Sequence, residues 1–313
     1  MRFLCVGNIA CDVILQPVGS GYVQNRILLK SADLFAGGDA LNVAVDLSVL
    51  EEEVTLIGCI GKDDFGDKVM RVLGEYPIDT QYIVHSKEAA TVTSVLLLEQ
   101  GGERKAAYRC GGNESLTEGD VPDEAINWAD HVHLGSPLRF TAMDGEGTCR
   151  LFKRAKEQGK TTSMDLVEPL DDIWLPKIED TLHYCDIFLP SDYEVSKVCG
   201  LNDPLEMKEF FRPYGLSVFG VKMGGKGVFI TDYKQDIWMT PVRSETPMDT
   251  LGAGDAFVAT FLSAYKRNLP LRTCVIMASF ASGYVIQEFG TTSGMKSFDK
   301  LHRDALHYEA AEK

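Results

Sequence analysis

The chain has 313 residues, 45% of them hydrophobic and 25% charged, a composition that suits a globular protein with a large buried core. Its net charge of −15 repels phosphate backbones, so neither nucleic acid nor an anionic membrane is expected as its main partner. Eight cysteines (Cys5, Cys11, Cys59, Cys110, Cys149, Cys185, Cys199 and Cys274) form no Cys-x-x-Cys pair and sit mostly in apolar runs, which reads as reduced core thiols in a cytoplasmic protein.

In chain order, Arg2–Gly7 is a short apolar run ending in glycine and reads as a buried first strand. No basic leader precedes it, and no apolar run reaches the ~20 residues of a membrane helix, so neither a signal peptide nor a membrane span is expected. Residues 13–35 are β-like, with turn residues and little helical period. Residues 40–50 place small and apolar side chains at helical spacing, 54–60 reads as a strand and 65–73 as a helix. Residues 88–109 read as a hairpin around a turn at 100–103. Strand-like runs recur at 131–134, 162–165, 187–190 and 217–223, with helical stretches such as 147–158 and Asp192–Cys199 between them. This alternation predicts an α/β fold: a mainly parallel central sheet flanked by helices, with ligands beyond the carboxyl ends of the strands. The segments 13–35 and 88–109 break the alternation. They are expected to form a small β-sheet standing off a single domain that spans 1–313.

The run Asp249-Thr250-Leu251-Gly252-Ala253-Gly254-Asp255, ahead of the apolar Ala256-Phe257-Val258-Ala259, carries the most chemistry. Gly252 and Gly254 let backbone approach a ligand closely. A helix starting near Gly254 leaves its first N–H groups without intrahelical partners, and its dipole favours an anion there. Asp255 then puts a carboxylate beside an anion hole. Phosphoryl transfer needs that arrangement: N–H groups hold the moving phosphoryl, and a carboxylate takes the proton of the attacking hydroxyl. A plain helix cap after a glycine turn is the simpler alternative. Upstream, Gly37-Gly38 open another helix with Asn42 one turn in, and its amide offers a carbonyl and an NH₂ suited to vicinal hydroxyls. Gly7-Asn8-Ile9-Ala10-Cys11 lacks the further glycines of a dinucleotide fingerprint.

These strings resemble the two signatures of the ribokinase-like (phosphofructokinase-B type) carbohydrate kinases. Their pattern Asp-Thr-x-Gly-Ala-Gly-Asp is matched at every fixed position by 249–255, and the likeness runs in order from Gly7 to Gly294. The resemblance implies a ribokinase-like fold with a β lid over the sugar site, and a homodimer through that lid. It implies ATP-dependent phosphorylation of a hydroxymethyl group on a ketose, a pentose or a keto-deoxy sugar acid. A nucleoside kinase and a non-catalytic sugar-binding relative of the same fold are the alternatives. Asp255 is implied as general base, with Gly252, Ala253 and Gly254 as the phosphate cradle. Asp12, Gly37, Gly38, Asn42, Arg109 and Asn113 are implied on the substrate, and Lys222, Gly224, Gly227, Ser191 and Thr250 on the nucleotide. Glu194 is implied to organise Mg2+ through water, and Asp249 to lie beside a carbonyl-held K+. Three departures stand out: Ser191 replaces the family's Asn, Lys222 replaces the commoner Thr, and Asp165-Leu166-Val167-Glu168-Pro169 lacks the Asn and Arg of the keto-deoxy acid kinases. Read by themselves, Ser191 and Glu194 also fit a capping box, Gly224 and Gly227 a tight hairpin, and Arg109 a solvated residue of the lid.

Overall fold

The computed structural model describes residues 1–17, 26–98, 104–242 and 247–311. The expected turn at 100–103 lies outside them. Nine strands form the main sheet, in the order Asp236–Met239, Val228–Thr231, Val218–Lys222, Ile187–Phe188, Thr161–Met164, His131–Gly135, Arg2–Gly7, Glu53–Ile57 and Ile78–Asp79. Pairing is parallel from Ile78–Asp79 through Val218–Lys222, and antiparallel for the last two strands. Parallel strands covered on both faces read as unbroken apolar runs, because both sets of side chains are buried. In the first strand, Phe3 and Cys5 point into one core and Leu4 and Val6 into the other. The helices Asp39–Val49, Ala253–Lys266, Leu271–Val285 and Phe298–Ala311 cover the first face. Glu146–Glu157, Leu175–Leu182, Asp192–Cys199 and Pro204–Phe211 cover the second.

A smaller four-stranded sheet runs in the order Leu29–Gly37, Ala10–Pro17, Val92–Leu98 and Arg104–Arg109. Ala10–Pro17 pairs parallel with Val92–Leu98 and antiparallel with Leu29–Gly37. Asp12 therefore sits on this sheet opposite Phe35. The expected strand at 54–60 is two strands. Glu53–Ile57 stays in the main sheet, while Cys59–Gly61 pairs with Val84–Ser86. The break falls at Gly58, where a Cβ would stand 2.5 Å from the Gly7 carbonyl oxygen, so no side chain fits there. The edge strands Ile78–Asp79 and Asp236–Met239 are too short and too charged to stand out by pattern.

All eight cysteines are unpaired. Among the described residues, no helix is long and apolar enough to cross a membrane.

Candidate active site

The helix Ala253–Lys266 starts where the sequence pattern places it, one residue early, with Gly252 as its N-cap. Gly252 has φ 73°, and a Cβ there would stand 1.7 Å from the Thr291 carbonyl oxygen. Only glycine meets both demands, the left-handed turn and the close backbone approach. Asp249 holds the turn in place: one carboxylate oxygen accepts from the Leu251 N–H at 3.0 Å and the other from the Gly290 N–H at 3.5 Å. Thr250 is exposed beside it. The first N–H groups of the helix are thus presented by a turn braced on the 286–291 segment, to which Met248 also donates at 2.8 Å.

Asp255 lies in the first turn of this helix and is buried. Asn42, on the helix Asp39–Val49, donates its Nδ2–H to Asp255 Oδ2 at 2.7 Å across 213 positions of sequence. Burial, then the nearby Asp39 and Asp165 carboxyls, push the Asp255 carboxyl well above its ordinary value, while Asn42 and Lys222 pull it back. The other members converge from the carboxyl ends of three parallel strands of the main sheet. Ser136 follows His131–Gly135 and donates to Asp39, Asp165 follows Thr161–Met164, and Lys222 closes Val218–Lys222. Lys222 Nζ stands 3.6 Å from Asp165 and 3.3 Å from where a Gly254 Cβ would be. An ammonium therefore faces the helix start directly, next to the buried carboxyl. Such a pair, a raised carboxyl and an anion-binding helix end with a lysine, can accept a proton and neutralise a phosphoryl group in one place.

Other expected residues gather around this centre. Gly37 lies over Asp12, where a Cβ would be 2.0 Å from Asp12 Oδ2, and Gly38 caps the helix that carries Asn42. Burial raises the Asp12 carboxyl to about 6, against the pull of Ser94. Asn113 is fully buried and donates to Asn8 Oδ1 at 3.0 Å and to the Tyr108 hydroxyl at 3.4 Å. Ser191 sits beside Lys222 in an isolated parallel bridge. Ser191 and Glu194 also complete the capping box of Asp192–Cys199. Burial raises Glu194 to about 7. Gly224 opens the turn Gly224–Lys226 with space around it, and Gly227 closes it against the Met239 carbonyl.

Arg109 stands exposed on the small sheet. Its guanidinium is 55% exposed, donates to the Thr91 carbonyl at 3.2 Å and stands 4.0 Å from Asp63. Neighbouring residues on a strand point to opposite faces, so Tyr108 and Arg109 cannot both face Asn113. Asn42 gives one amide N–H to Asp255, and its Oδ1 is buried with no hydrogen-bond partner among the described residues. Three further residues, Asp39, Ser136 and Arg139, belong to the neighbourhood and were missed. Each carries one polar group at an otherwise ordinary helix or loop position, and no local pattern singles them out.

Residues 2–297 match the pfkB family carbohydrate kinases. The chain belongs to that family. Among curated relatives of this pfkB kinase, it is 23% identical over 300 residues to a nucleoside kinase of Methanothermobacter thermautotrophicus, covering 93% of this chain and 91% of the relative. It is 28% identical over 265 residues to an ATP-dependent ribose-1-phosphate kinase of Halopiger xanaduensis, covering 85% of each. Among solved structures, Arabidopsis thaliana ribokinase complexed with ribose and ATP superposes with a TM-score of 0.83 at 21% identity, covering 97% of this chain and 98% of that one. The likeness establishes a ribokinase fold, and family membership makes the chain an ATP-dependent kinase.

Proposed function

We propose that this kinase transfers the γ-phosphoryl group of MgATP to a hydroxymethyl group of a small sugar. Asp255 takes the hydroxyl proton, and the N–H groups at Gly252, Ala253 and Gly254 cradle the moving phosphoryl. The observation that carries this reading is the buried Asp255 carboxyl held by Asn42 at 2.7 Å, in the first turn of a helix whose start faces Lys222. Lys222, Ser191 and the turn at Gly224 and Gly227 line the nucleotide side. A side chain at Gly224 or Gly225 would meet nothing within 4 Å, which leaves space for a nucleotide. Mg2+ usually binds through one or two carboxylates plus substrate phosphates, and it neutralises phosphate charge when bound. Glu194 is the carboxylate that would orient its waters. Asp249 and the carbonyls of the braced turn are the group that would sit beside a K+ ion.

On the substrate side, Asp12, Asn113 and the Gly37-Gly38 backbone meet the sugar under the small sheet, which serves as a lid. The relatives named above act on a nucleoside and on a sugar phosphate. Both contain a ribose, so a nucleoside kinase is the second reading. The test is ADP release from MgATP against ketoses, pentoses, keto-deoxy acids, sugar phosphates and nucleosides. Release above the background hydrolysis rate with at least one of them is expected. No release with any would end the kinase assignment of this site. Among the described residues the lid edges Leu29–Gly37 and Arg104–Arg109 pair with no further strand, and pairing between two lids would cover them. A monomer in sedimentation at micromolar concentration, with and without substrate, would argue against that dimer.

A further inference from the structure

Arg139 stands on the loop after His131–Gly135, at the carboxyl ends of the parallel strands. Its guanidinium lies 4.6 Å from the centroid of the Tyr108 ring, which reaches over from the small sheet. Tyr108 contacts Asn113, and Asn113 contacts Asn8, so Arg139 closes one wall of the substrate side. Arg139 Nε is buried and has no hydrogen-bond partner, and neither has Asn113 Oδ1. Among the described residues Arg139 makes no ion pair. By contrast, Arg2, Arg109, Arg150, Arg154, Arg212 and Arg267 each meet a carboxylate. The Asp39 carboxylate lies within electrostatic reach of Arg139 but takes its hydrogen bond from Ser136.

A buried donor left unmade costs free energy unless a ligand completes it. A guanidinium held over an aromatic ring still offers planar N–H donors that match two oxygens of one anion. Its surroundings sharpen this point. Asp12, Asp39, Asp165 and Asp255 give the site a negative field, so an anionic substrate enters only against a dedicated cation. We propose that Arg139 receives an oxyanion of the substrate, and that the substrate is a sugar carrying a phosphate or carboxylate away from the hydroxyl that is phosphorylated. Arg139 then sets specificity, while Lys222 serves the nucleotide phosphates on the other side of Asp255. This inference rests on the kinase reading of the same site.

The test uses the full-length protein, its Arg139→Met variant and its Arg139→Lys variant, each checked for the wild-type melting temperature. Calorimetry without nucleotide measures binding of sugar phosphates, sugar acids, the matching neutral sugars and nucleosides. Wild type is expected to bind at least one anionic sugar at least a hundredfold tighter than its neutral counterpart. The phosphate and carboxylate arms show which oxyanion it takes. Arg139→Met is expected to lose at least tenfold for the anionic compound and less than threefold for the neutral one, and Arg139→Lys to recover part of the loss. In turnover, the loss should appear in KM rather than kcat. The inference is overturned if no anionic sugar binds wild type, if neutral sugars or nucleosides bind as tightly, or if Arg139→Met weakens both classes equally. Binding that depends on Arg139 without any ADP release would uphold Arg139 as the receptor and refute the kinase reading instead.

Discussion

Replacing Asp255 by Asn removes the base and keeps the hydrogen bond. Asp255 Oδ2 accepts the Asn42 amide at 2.7 Å, and the Oδ1 of an asparagine can accept the same bond. Asparagine also has nearly the size and shape of aspartate. What disappears is the capacity to take a proton. A positioned general base contributes about 10²–10⁴-fold, or roughly 3–5 kcal/mol of transition-state stabilisation. We therefore expect Asp255→Asn to lower kcat at least about a hundredfold, with the KM for MgATP nearly unchanged. The same change should not destabilise the fold. Burial beside Asp39 and Asp165 raises this carboxyl, so its contribution to wild-type stability is full below about pH 4 and is lost as pH rises through the raised value. The variant lacks that loss, so its melting temperature should gain on wild type between pH 5 and pH 8. Coupled ADP release with the best substrate gives kcat, and calorimetric scans at both pH values give stability. Turnover within about tenfold of wild type would show that Asp255 is not the base, whatever the melting temperature does.

Lys222 lowers the carboxyls of Asp255, Asp39, Asp165 and Glu194, so Lys222→Met should move the acid limb of kcat/KM to higher pH as well as raise the KM for MgATP. An unshifted limb would separate Lys222 from the base. Gly252→Ala forces a Cβ to within 1.7 Å of the Thr291 carbonyl at φ 73°, so it should lower the melting temperature and raise the KM for MgATP at least tenfold. Wild-type values for both would mean that the turn is looser than described. Burial raises Glu194 to about 7 and holds Asp46 well above its ordinary value. Buried His131 and His133 are held low and work in the opposite direction only below about pH 6.5, so the protein should melt higher at pH 6.5 than at pH 8. Neither oxygen of buried Asp46 has a hydrogen-bond partner, and Asp46→Asn should flatten that slope. A slope of the opposite sign in wild type would refute this charge assignment.

Features set by neighbours in sequence were legible without a structure. The glycine turn, the helix after it and the carboxylate in its first turn follow from seven consecutive residues. The capping box of Ser191 and Glu194 needs only four, and the alternation of apolar runs gives the parallel sheet because both faces of each strand must be covered. Each of these is decided by backbone conformation or by burial period, which short segments encode. The contents of the site are another matter. Asn42 reaches Asp255 only because two helices pack on the same face of the sheet, and the Asp255 carboxyl is raised because the fold buries it and brings Asp39 and Asp165 near it from separate elements. The two arginines show the same division. Arg109 lies in the lid hairpin that the sequence singled out, yet strand alternation turns it to Asp63, while Arg139, on a loop with no motif, is laid on Tyr108 by the junction of the two sheets. Side-chain direction, burial and electrostatic neighbours arise from contacts between distant segments, so only the folded molecule decides which charge meets the substrate.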